Sequence, residues 1–203
     1  FMACASPGLR TAPPNPLGPS RKNFRDQLLM LRKLAADPTV AGVQLEIEST
    51  PDFARSLDLL EELRQVRAAG KRIVCWEEML DQRTLIYASL ADHLAMPPGA
   101  LIGLEGLAAE SMYFKDLLAK LELRMEVVHV GDFKTGYEEL GRSTMSEEQR
   151  QTIGAVLDEF YGQLLDTIAV NRRMARPALE ELFTQVVVLP EAARTAGLID
   201  AVS

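Results

Sequence analysis

Apolar residues recur at helical spacing as soon as the chain passes residue 23. Phe24, Leu28, Leu31 and Ala35 share one face and Asp37-Pro38 stops the pattern, so the first helix is expected here. Val40 to Ile47 then reads as a mostly apolar strand. Phe53, Leu57, Leu60 and Leu63 mark a second helix that ends by Gly70, followed by a strand over Arg72 to Trp76. The alternation continues with a helix at Gln82 to Leu90, short strands at His93 to Met96 and Ala100 to Leu104, a helix at Met112 to Leu121 and a strand at Met125 to Val130. Helices alternating with short apolar strands predict an α/β fold in which a mostly parallel sheet is covered by helices.

A long helix follows. It opens with Thr144 and Glu147 at capping-box spacing and carries Ile153, Val156, Leu157, Phe160, Leu164 and Ile168 on one wide apolar face. Packing on its own sheet or an oligomer interface would each explain that stripe. Arg176-Pro177 opens a last short helix, and Val186-Val187-Val188-Leu189 leads to Pro190-Glu191-Ala192-Ala193 and then Ala196-Gly197-Leu198-Ile199-Asp200. Residues 1–22 hold five of the eleven prolines (Pro7, Pro13, Pro14, Pro16, Pro19) and read as a linker or fragment edge, leaving 23–203 as the domain.

Composition narrows the function classes. Hydrophobic content of 47% over 203 residues can bury a substantial core. The net charge of -7, with 22 basic residues scattered among 29 acidic ones, argues against nucleic acid as a partner. No run approaches the roughly 18 apolar residues a spanning helix needs, so the chain as given is expected to be soluble. Cys4 and Cys75 make no disulfide framework, and Cys75, in an apolar strand, reads as a small core residue. His93 and His129 have no Cys or carboxylate at metal-ligand spacing, so no metal and no cofactor is expected. Glu46 and Glu48, or Glu77 and Glu78, have the look of paired carboxylates for acid/base work; solvated strand edges explain them equally.

The most informative stretch is Val130-Gly131-Asp132-Phe133-Lys134-Thr135-Gly136-Tyr137-Glu138-Glu139-Leu140-Gly141-Arg142-Ser143-Thr144-Met145-Ser146-Glu147-Glu148-Gln149-Arg150. It sets Lys134 in a glycine-bracketed loop between an apolar strand and the long helix, where a scaffold presents catalytic side chains. Taken alone, Lys134 is better explained as a solvated loop lysine, because most lysines are exposed. The stretch resembles the lysine segment of the signal peptide peptidase A family, bacterial membrane-associated serine proteases of the ClpP/crotonase-like superfamily. Ala88-Ser89-Leu90-Ala91-Asp92, Met112-Tyr113-Phe114-Lys115-Asp116-Leu117-Leu118-Ala119-Lys120-Leu121 and the Gly197-Leu198-Ile199-Asp200 close are similar to further segments of that family.

The resemblance implies a ClpP/crotonase-like fold of repeated ββα units and a Ser/Lys-dyad endopeptidase that degrades remnant signal peptides or misfolded segments. Lys134 falls on its general base. It implies a homo-oligomer, and membrane association through a segment outside this chain. The chain is most similar to the lysine-bearing half of the family's two-domain form, because the Ser-Gly-Gly-Tyr-Tyr of a nucleophile-bearing half is replaced by Gln82-Arg83-Thr84-Leu85-Ile86-Tyr87. Thr84, two places from the serine register, reads as a first-turn helix residue. The nucleophile is therefore expected from a companion domain or subunit, and the chain alone is expected to be incomplete and inactive. Phe133 and Tyr137 are expected to wall the lysine, which can act as a base only when neutral, a form favoured by burial or neighbouring positive charge. Two alternatives stay open: a non-catalytic scaffold for oligomerisation or peptide binding, and, with less support from the lysine loop, a crotonase-type acyl-CoA enzyme.

Overall fold

The computed structural model describes residues 23–47, 49–126, 131 and 134–203. Helix α1 (Phe24–Ala36) starts at Asn23, whose side chain accepts the Asp26 N–H while the Asp26 carboxylate accepts the Asn23 N–H. It packs on α2 (Phe53–Ala68), capped by Asp52, and Arg32 of α1 donates to the Glu62 carboxylate of α2 at 2.8 Å.

Two sheets follow from the strands. Strands β1 (Gly42–Leu45), β2 (Arg72–Trp76), β4 (His93–Met96) and β7 (Ala201–Val202) line up in the order β1-β2-β4-β7, every pair parallel. Strands β3 (Met79–Asp81), β5 (Leu101–Gly103) and β6 (Val187–Val188) form the second sheet, with β3 parallel and β6 antiparallel to β5. The succession β2, β3, α3 (Gln82–Ala88) is one ββα unit, and the fold is the expected α/β class. Alternate residues of the first sheet are buried (Val43, Leu45, Ile73, Cys75, Leu94), as are Leu60, Leu63 and Val66 of α2 and Leu85 and Ile86 of α3. Burying each such aliphatic side chain contributes about 1.5–3 kcal/mol. Strand β1 begins with Gly42 because any Cβ there would stand 2.7 Å from the Arg72 carbonyl oxygen of β2.

Aspartates tie the strands at their ends. Asp92 accepts the Ile73 N–H at 2.9 Å and returns its own N–H to the Ile73 carbonyl, so the start of β4 is fixed to β2. Asp200 repeats the device between β7 and β4, accepting the Leu94 N–H at 2.7 Å and pairing with Arg172 at 2.7 Å. Burial pushes the Asp200 carboxyl up, but the Arg172 guanidinium and the Leu94 N–H outweigh it and hold the group below the usual carboxylate range.

Several expected boundaries move. The strand expected from Val40 to Ile47 shortens to β1, because the Asp37 and Val40 carbonyls are taken by the buried Lys71 ammonium instead of a ladder. Strand β3 is absent from the pattern-based expectation, since three residues are too few to show alternation. The helix expected at Met112–Leu121 contracts to α4 (Lys115–Lys120), the Phe114 N–H going to the Glu139 carbonyl of α5 (Glu138–Gly141) at 2.7 Å. Of the strand expected at Met125–Val130, 127–130 lie outside the described residues and Met125–Glu126 belong to no element. The long helix α6 spans Glu147–Arg172, with no role for Thr144 as its cap. Ser146 takes that role: its hydroxyl accepts the Gln149 N–H at 3.1 Å. Helix α7 (Arg176–Phe183), with Pro177 in its first turn, and α8 (Pro190–Ala196), closed by Gly197, match the expected ending.

The chain divides into two compact units, one reaching to Gly106 and resuming at Leu164–Ser203, the other Leu107–Gln163. Among the described residues the buried apolar side chains all belong to the first. Among its described residues the second buries only Ser146 and Gln149.

One buried acid at the end of β2 sets a pH dependence. The Glu77 carboxylate accepts the backbone N–H of Ile47, just past β1. Burial raises its carboxyl to about 7; the Ile47 hydrogen bond opposes that, and the charges of Glu46 and Glu78 add to it. A raised folded-state value means that the carboxyl's contribution to stability is complete below the ordinary carboxylate range, about 4.3 for glutamate. It is lost as pH rises toward about 7, where the folded carboxyl ionises. Glu77→Gln keeps an acceptor for Ile47 without the charge. Calorimetry should find the two proteins alike at about pH 4.5 and the variant more stable at about pH 8.5, by on the order of 1–2 kcal/mol; a stability gap independent of pH contradicts this account.

Candidate active site

Lys134 lies in the second unit, on the loop that opens with Gly131 and leads to α5. Its backbone N–H donates to the Gly131 carbonyl at 3.2 Å, and the Glu138 N–H donates to the Thr135 carbonyl at 3.1 Å, so a tight turn follows the lysine. Its side chain is exposed. Tyr137, expected as part of an apolar wall, is 69% exposed. Asp132 and Phe133 lie outside the described residues, as do Glu48 and His129.

The loop is braced inside its own unit. Besides the Phe114 to Glu139 bond, the Tyr113 hydroxyl donates to Gln149 Oε1 at 2.5 Å and the Ser143 hydroxyl donates to Asp116 at 2.8 Å. An open groove of about 730 Å³ in this unit is lined by Leu118, Ala119, Leu123, Met125 and Leu140. Leu123 in that lining is 56% exposed, as are its neighbours in sequence Leu117 (54%) and Leu121 (61%).

The register of the expected nucleophile lies in the first unit, at the start of α3. Asp81 caps that helix, accepting the Arg83 and Thr84 N–H groups at 2.9 and 2.8 Å. Thr84 is only 2% exposed, and its hydroxyl accepts the Asp81 N–H and donates to the Asp81 carbonyl. Its proton and one acceptor site are therefore committed to the cap, and Thr84 is the first-turn residue that its position suggests. Gln82 is held just as firmly. Its Oε1 accepts the Gly106 N–H at 2.8 Å and its Nε2 donates to the Gly106 carbonyl.

The other candidate chemistries reduce to structure. Ser89 is fully buried, donates to the Ile86 carbonyl and accepts from the Asn171 amide at 2.9 Å. Cys75 is buried and free, and burial drives its thiol far above the usual range, which removes thiolate character. His93 is exposed, and no cluster of three His, Cys, Asp or Glu fit for a metal occurs among the described residues. No helix among them is long and apolar enough to cross a membrane. What pattern reading missed is the Gln82 amide and the burial of Glu77. A polar side chain at a helix start carries no signal of which backbone it will reach, and the Glu46–Glu48 and Glu77-Glu78 runs look solvated from sequence.

The chain is 26% identical over 168 residues to "Serine protease SPPA, chloroplastic" of Arabidopsis thaliana, covering 82% of this chain and 25% of that protein. It is 26% identical over 147 residues to "Protease 4" of Salmonella typhi, covering 71% of this chain and 24% of that protein. The chain thus spans about a quarter of the length of these relatives. Among solved structures, the 1510-N membrane-bound stomatin-specific protease matches with a TM-score of 0.51 and 13% identity over 88% of this chain and 72% of that one. An enoyl-CoA hydratase from Shewanella pealeana matches with a TM-score of 0.51 and 9% identity over 89% of this chain and 57% of that one. Identities this low speak to fold alone, and the fold is ClpP/crotonase-like. The description "Peptidase family S49" matches residues 65–203, through both the α3 register and the Lys134 loop, and the chain belongs to that peptidase family.

Proposed function

We propose that this chain is the lysine-contributing part of a Ser/Lys serine endopeptidase, with Lys134 as general base and the nucleophilic serine supplied by a companion domain or subunit. The observation that carries this reading is the state of the α3 register. In a chain of a peptidase family, the serine position is occupied by a glutamine bonded at both ends to Gly106, and the nearest hydroxyl, Thr84, is sealed into a helix cap. Catalysis then needs a hydroxyl from elsewhere, and Lys134 is the base this chain has to offer.

The chemistry follows from the lysine. Neutral Nζ removes the proton of the companion's serine as Oγ attacks the scissile carbonyl carbon, giving a tetrahedral intermediate and an ammonium. The ammonium returns that proton to the leaving amine as the C–N bond breaks. Water then attacks the acyl-enzyme, again giving a proton to Nζ, and the serine regains it when the ester bond opens. The Lys134 side chain is exposed, and in this reading the companion covers its loop, since burial favours the neutral form in which a lysine acts as a base. The substrate class is an extended peptide, remnant signal peptides or misfolded segments by the resemblance described above, and membrane association would come through a segment outside this chain.

Assembly is supported by the second unit's own composition. A unit that presents Leu117, Leu121 and Leu123 to water and buries no apolar side chain among its described residues requires a cover. A second copy of the chain, or the serine-bearing companion, fits that need. The alternative of a non-catalytic scaffold draws on the same exposed surface, and substitution of the lysine separates the two.

In the assembled enzyme Lys134→Ala should lower kcat by about a thousandfold or more while changing stability by less than about 0.5 kcal/mol, as expected for an exposed loop residue. Lys134→Arg should be equally inactive, since guanidinium stays protonated and cannot accept the serine proton. Near-normal turnover of the arginine variant means that Lys134 is not the base. For assembly, light scattering should find the chain self-associated, and Leu117→Glu with Leu121→Glu should shift it to monomer with unchanged circular dichroism; retained association means that α4 is not the contact.

A further inference from the structure

Two described residues of the second unit are buried, Ser146 at 3% exposure and Gln149 at 6%, and both are polar. With no apolar side chain buried among its described residues, this unit relies on hydrogen bonds to hold its segments together, and several of them converge on Gln149. The Ser146 hydroxyl accepts the Gln149 N–H at 3.1 Å, which fixes Gln149 in the first turn of α6. Its side chain then reaches in two directions. Oε1 accepts the Tyr113 hydroxyl at 2.5 Å, and Nε2 donates to the Glu139 carboxylate at 3.5 Å. The backbone closes the ring: Phe114, next to Tyr113, donates its N–H to the Glu139 carbonyl at 2.7 Å. A glutamine suits this place because it offers an acceptor to a hydroxyl on one side and a donor to a carboxylate on the other, which neither leucine nor glutamate can do.

The ring lies one turn from the lysine. Glu139 is the second residue of α5, and the Glu138 N–H that opens this helix donates to the carbonyl of Thr135, the residue directly after Lys134. A helix of four residues has too few internal bonds to keep its place alone, so α5 depends on what grips it from outside. Gln149 and Phe114 supply that grip, from α6 and from the segment that enters α4.

We propose that Gln149 is a positioning residue for Lys134: its amide ties α5 to α6 and to Tyr113, and the single hydrogen-bonded turn between α5 and Lys134 passes that placement to the lysine. This rests on Lys134 being the base. Gln149 takes no part in the proton transfer itself; it acts through Glu139.

Exchanging donor and acceptor across the pair tests this. Gln149→Glu keeps an oxygen for the Tyr113 hydroxyl but sets a carboxylate against that of Glu139. Adding Glu139→Gln puts an amide donor back opposite a carboxylate, with the direction of the bond reversed. In the chain alone, hydrogen exchange at the Phe114, Lys134 and Glu138 amides should speed up on the order of tenfold in Gln149→Glu, with α2 and β2 unchanged. The double variant should return to within about threefold of the parent. In the assembled enzyme kcat per titrated serine should follow the same order, about tenfold lower in the single variant with KM within about twofold, and largely restored in the double. Circular dichroism serves as the control for folding; if Gln149→Glu loses helical signal, Tyr113→Phe, which removes only the hydroxyl bond, carries the same two readouts. Unchanged exchange overturns the proposal, as does faster exchange with parental kcat or a double variant no better than the single one. An active Lys134→Ala enzyme refutes the base assignment instead, and with it any effect of Gln149 on kcat, while the exchange rates still decide whether Gln149 holds α5.

Discussion

Parallel strands cannot be joined by tight turns, so their register has to be fixed by something outside the ladder. In this chain two aspartates do it. Asp92 and Asp200 each accept a backbone N–H from the neighbouring strand and return their own N–H to that strand, which locks β4 to β2 and β7 to β4. Arg67 lies 3.2 Å from Asp92 and Arg172 lies 2.7 Å from Asp200, so a guanidinium stands beside each carboxylate. The buried row of Val43, Leu45, Ile73, Cys75 and Leu94 depends on this register, because a slip of one residue would turn every one of these side chains to the opposite face.

The same economy of short polar contacts governs the start of α3. Asp81, Thr84 and Gln82 satisfy the helix end, the Thr84 hydroxyl and the Gly106 backbone within a few residues of one another. Each bond is ordinary in strength, about 1 kcal/mol net. Together they leave the register without a free hydroxyl, while Lys134 stands exposed in a unit that buries almost nothing among its described residues. The serine-bearing companion we propose would supply the hydroxyl that this register lacks and a cover for the exposed loop.

Much of the architecture was legible from periodicity because the responsible signals are local. Asn23 with Asp26, Gly70 after α2 and Gly197 after α8 all mark ends that pattern reading located, and β2 and β4 fall where the apolar runs do. What escaped was decided by contacts distant in sequence. The truncation of β1 depends on Lys71, thirty-one residues from the Val40 carbonyl it holds, and the shortening of α4 on Glu139. At the site, Lys134 was legible as a motif position, whereas its surroundings are not a property of this sequence segment alone. Gln82 was legible only as the absence of a serine; that its amide would reach Gly106, twenty-four residues on, has no local signature.

Labelling of the chain alone with a fluorophosphonate, followed by peptide mapping, tests the central claim most directly. If the nucleophile comes from a companion, none of the serines in residues 23–203 has an activated Oγ, and none should be modified beyond the level seen in unfolded protein. Rapid, stoichiometric modification of Ser89, Ser111, Ser143 or Ser146 would contradict the account, since the chain would then hold a nucleophile of its own.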